Sequence, residues 1–155
     1  MKLAHAMWTH GYSVQPIGSS HVQISTGGGY SSGAEASCVT SASEHQWFSF
    51  RIPTPVIVDD RRLRVWRVII RFRNLHSDIV AISVYDGENR IAFKEYPFEG
   101  PKPSDTGWDE PHLKMLDVPG NPEIMWGLLI LVHVKFEPHG GPAMMNFSAA
   151  GCDFI

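Results

Sequence analysis

"LRVWRVIIRFRN" (63–74), followed after Leu75, His76 and Ser77 by "DIVAISVYD" (78–86), decides how this chain folds. In the first run Trp66, Val68, Ile70 and Phe72 recur at every second position, with Arg67, Arg71 and Arg73 between them. Side chains alternate across a strand with period two, so this pattern reads as β-structure. Centring a turn on "NLHSD" (74–78) predicts an antiparallel hairpin with Arg73 opposite Ile79, Arg71 opposite Ala81, Ile69 opposite Ser83 and Arg67 opposite Tyr85. One face then carries Trp66, Val68, Ile70, Phe72, Val80, Ile82 and Val84, which is a core face. The other mixes arginines with apolar side chains. Bare solvent disfavours that mixture, so Arg67, Ile69, Arg71, Arg73, Ile79 and Tyr85 form a candidate protein interface.

Working outward, the same period recurs in "LAHAMWTH" (3–10), "HVQIST" (21–26), "QWFSFRI" (46–52), "RIAFKEY" (90–96), "HLKMLDV" (112–118), "IMWGLLILVHVKF" (124–136) and "AMMNFSAAGCDFI" (143–155). Gly- and Pro-rich stretches separate these runs, and no sustained helical stripe appears. Many short strands at even spacing predict an all-β fold, an antiparallel β-sandwich of jelly-roll type. A chain of 155 residues fits one such domain, 1–155, with long loops at 27–43 and 97–111. The 124–136 strand is apolar on both faces: Trp126, Leu128, Ile130, Val132 and Val134 on one, Leu129 and Leu131 on the other. Its middle is expected to be buried on both sides.

The net charge of −3 argues against a general nucleic-acid binder. Charge is nevertheless segregated. Arg51, Arg61, Arg62, Arg64, Arg67, Arg71 and Arg73 cluster in the middle, whereas residues 86–123 carry nine acids against four basic residues, a polarity that favours contact between copies. No apolar run reaches the ~20 residues of a membrane span, and the N-terminus has no secretion-signal pattern. Cys38 and Cys152 are too few for a disulfide framework and are expected as reduced thiols in a cytoplasmic protein.

Catalytic and metal signatures are weak. In "HVKFEPH" (133–139), His133 and Glu137 would lie roughly 13 Å apart along a strand, too far to share an ion. There is no G-x-S-x-G elbow, and "TGGGYSSG" (26–33) lacks the lysine of a phosphate loop. Asp-Gly in "VYDGENRI" (84–91) marks a tight turn, with only a faint calcium option at Asp86, Glu88 and Asn89. The expectation is therefore no catalytic residue, no metal and no cofactor. The best small-molecule candidate is "YPFEGPKPSDTGWDEP" (96–111), where Tyr96 and Trp108 stand near Asp105 and Asp109. Sugar recognition uses flat aromatic faces with neighbouring carboxylates; the plainer reading has Trp108 capping one end of the sandwich.

"AHAMWTHGYSVQ" (4–15), "WFSFRIPTPVIVDDRRLRV" (47–65), "VYDGENRI", "WGLLILVHVKF" (126–136) and "FSAAGCDFI" (147–155), in this order, resemble a family of small microbial all-β proteins known as a domain of unknown function. That resemblance implies one compact β-sandwich whose first and last strands both belong to the fold, and it implies no reaction. The sequence thus predicts a non-catalytic protein that works through protein–protein contact, chiefly with itself in an oligomer or larger assembly. The alternative is a carbohydrate-binding module using Tyr96, Asp105, Trp108 and Asp109, with a glycan as partner. No nucleic-acid partner and no membrane span are expected.

Overall fold

The computed structural model describes residues 2–18, 21–25, 33–38, 42–99, 111–138 and 141–155. In chain order its strands begin with β1 (His5–His10), β2 (Gln15–Ile17), β3 (Val22–Ser25), β4 (Ala34–Cys38), β5 (Glu44–Ile52), β6 (Ile57–Val58) and β7 (Arg61–Arg62). They continue with β8 (Val65–Leu75), β9 (Ser77–Asp86), β10 (Asn89–Glu95), β11 (His112–Asp117), β12 (Leu128–Phe136) and β13 (Met144–Phe154). Two antiparallel sheets face each other. One is six-stranded, in the order β11-β8-β13-β4-β3, with β1 also paired to β13. The other is five-stranded, in the order β10-β9-β12-β5-β2, and β6 with β7 forms a separate small hairpin.

Between the sheets lies a core of alternating inward residues: Phe48 and Phe50 on β5, Ile82 and Val84 on β9, Ile130 and Val132 on β12, Val68 and Ile70 on β8, Phe147 on β13. Phe147 meets Phe48 and Phe50 edge-on, with centroids 5.1 and 5.2 Å away. Full burial of such a side chain is worth about 1.5–3 kcal/mol. The first strand reaches the second sheet through one 3-10 turn, Gly11–Ser13. Here the backbone of Gly11 runs so close to β13 that a Cβ would sit 1.7 Å from the Phe147 carbonyl oxygen. Only a residue without a side chain fits.

The sandwich and its end strands agree with the sequence reading, but the central hairpin does not. β8 belongs to the six-stranded sheet and β9 to the five-stranded one. His76 takes a positive φ of 50°, the Asn74 amide donates to the Ser77 carbonyl at 2.7 Å, and the chain crosses the sandwich instead of turning back beside itself. The two strands therefore meet face to face, each hydrogen-bonded to later strands: β8 to β11 and β13, β9 to β10 and β12. Two bulges also shift the alternation. The extra residue at Trp66 leaves its indole partly exposed, and the one at Val80 brings Ile79 into the core in its place.

Other departures are local. Residues 34–38, expected in a loop, form β4, with Ala34, Ala36 and Cys38 inward; side chains this small gave little hydrophobic contrast. β12 is the central strand of its sheet, yet Leu129 and Leu131 are only half-buried, and Trp126 precedes the strand and is exposed. Cys38 and Cys152 both remain thiols inside the protein. Among the described residues no helix is long and apolar enough to cross a membrane.

Candidate functional site

Aromatic side chains point away from the core on the outer face of the five-stranded sheet. On β5 the core takes Phe48, Phe50 and Ile52, so Trp47, Ser49 and Arg51 face outward. Register then sets the rows across the sheet. Phe93, Ser83, Leu131, Ser49 and Gln15 make one; Glu95, Ala81, His133, Trp47 and Ile17 make the next; Arg90, Tyr85, Leu129 and Arg51 make a third. Ala81 and Ser83 face outward and are still buried, because taller side chains stand on both sides of β9. They floor a shallow trough. Phe93 and Glu95 form one wall, Leu131 and His133 the other, with Trp47 beyond. From β5 to β10 is three strand spacings, about 14 Å.

The Trp47 indole is held in place. The His133 imidazole stacks on it with centroids 4.6 Å apart and planes 12° from parallel. His133 Nε2 lies 3.1 Å from His45 Nδ1, a hydrogen bond that requires at least one neutral ring. Burial, and secondarily the nearby His45, lowers the His133 pKa from its ordinary value, so the neutral form is favoured. On the opposite wall Phe93 is 45% exposed, enough to offer a ring face to a ligand.

An open groove of about 470 Å³ adjoins this face at the edge strands β10 and β11. Phe93, Lys94, Met115, Asp117 and Arg67 line it. At one end the half-buried Tyr96 carries Lys94 and Lys114 against its ring, 5.2 and 4.5 Å from the centroid. Burial raises the Tyr96 pKa, so its hydroxyl stays protonated.

The residues singled out from sequence separate in space. Arg67, Ile69, Arg71 and Arg73 do share the outer side of the six-stranded sheet, but Ile69 is buried there beside Gly151 and Met115. Ile79 lies in the core and Tyr85 on the outer face of the other sheet, so the six residues do not form one surface. The causes are the sheet crossing at His76 and, for Ile79, the bulge at Val80. Arg67 is tied to Asp153 at 2.8 Å. Tyr96 stands at the groove, whereas Asp105, Trp108 and Asp109 lie outside the described residues. The calcium option at Asp86 falls away: both its carboxylate oxygens accept backbone N–H groups, from Met125 at 2.8 Å, Trp126 at 2.8 Å and Gly127 at 3.0 Å. His133 and Glu137 likewise take separate partners, His45 and Lys135. Among the described residues no three His, Cys, Asp or Glu side chains converge as a metal site.

Sequence reasoning missed Trp47 and Phe93 and weighed His133 only as a metal ligand. The signal was present for Trp47, which falls out of phase with Phe48 and Phe50 and must leave the core. Phe93 had no such signal, because the bulge at Ile91 sets which way it points.

A family model described as a family of unknown function, DUF6623, matches residues 3–149. No curated protein matches the chain. Among solved structures it is similar to TmCBM61 in complex with β-1,4-galactotriose, at 17% identity over 93% of this chain and 86% of that one, TM-score 0.49. It is also similar to the arabinose-bound MgGH51 α-L-arabinofuranosidase, at 13% identity and TM-score 0.51, over 91% of this chain but only 23% of that one. A third likeness is to carbohydrate-binding modules of the β-sandwich superfamily studied for promiscuous specificity: 13% identity, 97% of this chain, 56% of that one, TM-score 0.47. At such identities the likeness concerns the fold.

Proposed function

The chain belongs to this family of unknown function, DUF6623, and we propose that it is a non-catalytic carbohydrate-binding module whose ligand lies along the outer face of the five-stranded sheet. The observation that carries this reading is the Trp47 platform, stacked on His133 and facing Phe93 across a trough floored by Ala81 and Ser83. A sugar ring presents C–H groups on its face and hydroxyls at its rim. Aromatic faces suit the first, and Gln15, Ser49, Tyr85 and Glu95 offer donors and acceptors for the second. The non-catalytic part of the reading is supported by the thiols. Both are buried, and burial together with Asp153 pushes the Cys152 thiol far above its ordinary pKa, away from the nucleophilic thiolate.

A glycan array followed by titration of the hits tests the proposal. Trp47→Ala is expected to weaken binding at least roughly tenfold, a loss of about 1.4 kcal/mol. A blank array, or hits unchanged by Trp47→Ala, would remove the reading.

One observation favours a second role. On the outer side of the six-stranded sheet, Trp8 is 45% exposed, Met115 49% and Leu113 56%, and all three stand in cross-strand rows with Ile69 and Arg71. That patch supports self-association in a soluble, cytoplasmic protein. Light scattering tests it: mass should rise with concentration and fall back in Leu113→Asp, and a monomer at every concentration discards it.

A further inference from the structure

Among the described residues, cations at the β10–β11 flank rest on aromatic rings and not on carboxylates. Lys94 and Lys114 lie against Tyr96, and the Arg90 guanidinium lies 5.0 Å from the Phe93 centroid. Elsewhere in the molecule ring-bound cations are also neutralised. Arg67 sits over Trp66 but pairs with Asp153 at 2.8 Å, and Lys135 sits over Phe98 but pairs with Glu137 at 2.6 Å. Arg90, Lys94 and Lys114 have no such carboxylate within ion-pair distance among the described residues. An aromatic face orients a cation through its quadrupole but leaves the net charge whole. Among the described residues, three positive charges without a carboxylate partner thus lie at one flank of a chain whose formal charge is −3. One acid, Asp117, also lines the groove, and Glu95 points to the outer face, away from Lys94's side of β10.

We infer that the ligand is an anionic glycan, its acid groups held by Lys94 in the groove, by Lys114 beside it on Tyr96 and by Arg90 on the outer face, while its sugar rings cross Phe93 onto the trough. This rests on the carbohydrate-binding reading above. Ammonium groups suit the task, because three rotating donors accept carboxylate or sulfate oxygens at several spacings.

The test compares polygalacturonate with its fully methyl-esterified form, which has the same backbone and no charge. A sulfated galactan and its desulfated form serve as a second pair, with single-stranded DNA as a non-sugar polyanion. At least one acidic polymer should bind roughly tenfold or more tighter than its neutral counterpart, the preference shrinking with salt. The pair that shows it identifies carboxylate or sulfate as the anion. Lys94→Gln with Lys114→Gln should abolish the preference, whereas Lys94→Arg with Lys114→Arg should keep it. Equal binding of both members in each pair overturns the inference and leaves the carbohydrate-binding reading standing. So does a preference that survives the double Gln variant. Single-stranded DNA retained as tightly as the acidic glycan overturns it as well. Binding of no glycan at all defeats the carbohydrate reading and the inference together.

Discussion

His133 lies parallel to the Trp47 indole, 4.6 Å away, while its Nε2 meets His45 Nδ1 at 3.1 Å. The candidate platform is therefore built on a titrating imidazole, that of His133. Burial and His45 lower the His133 pKa, so the folded state binds fewer protons there than the unfolded chain. Stability from this site is complete above the unfolded value near 6.5 and declines as pH falls through it toward the lowered folded value. Urea midpoints at pH 8 and pH 5 are expected to differ more in the unaltered protein than in His133→Phe, which keeps the ring and removes the proton. Equal differences would show that His133 does not titrate in folding.

Arg67 and Arg71 look equivalent in sequence and should behave differently. The Arg67 guanidinium reaches Asp153, whose side chain is 8% exposed. Arg67→Glu leaves that buried carboxylate facing a second one, at a cost of about 2–4 kcal/mol. Arg71 is exposed, so Arg71→Glu should stay within about 0.5 kcal/mol of the unaltered protein. Thermal or urea unfolding of the two variants checks the contrast.

Asp86 ties the β9 end to the segment entering β12 by accepting three backbone N–H groups while almost fully buried. Asp86→Ala strands those donors and should cost about 3 kcal/mol or more, lowering Tm by roughly 6–12 °C in a domain of this size. The same change should loosen Trp126, which packs over Gly87 and is 70% exposed, shifting its fluorescence.

Gly11 gives the sharpest steric prediction. A methyl group there would overlap the Phe147 carbonyl at 1.7 Å, and that atom belongs to the backbone of the central strand β13. Gly11→Ala should leave little soluble, folded protein, whereas Gly18→Ala, in open space, should express normally and cost only the strain of its positive φ, about 1 kcal/mol. Circular dichroism and yield decide it.

Most strands could be located from sequence because a half-buried strand writes its two faces into alternate residues, as Phe48, Phe50 and Ile52 against Trp47, Ser49 and Arg51 do. Strands built from small residues, such as Ala34–Cys38, carry that code faintly. The candidate site was hardly legible. Trp47 betrayed itself by its phase, but His45 and His133 come from separate strands and meet only through register, which also sets Phe93 across the trough from them.

By itself the sequence determined the all-β class and the inward phase of most strands, because burial alternates locally along each segment, while the place of the first and last strands in the sandwich was implied by the family resemblance. Pairing depends on residues far apart in the chain, and only the tertiary structure decided it. A positive φ at His76 sends β9 to the opposite sheet, and bulges at Trp66 and Val80 each exchange which residue faces the core. Those local events leave hydrophobicity unchanged, so no periodic pattern records them. They nonetheless decide that the arginine-rich strand β8 and Tyr85 look out from opposite sides of the molecule.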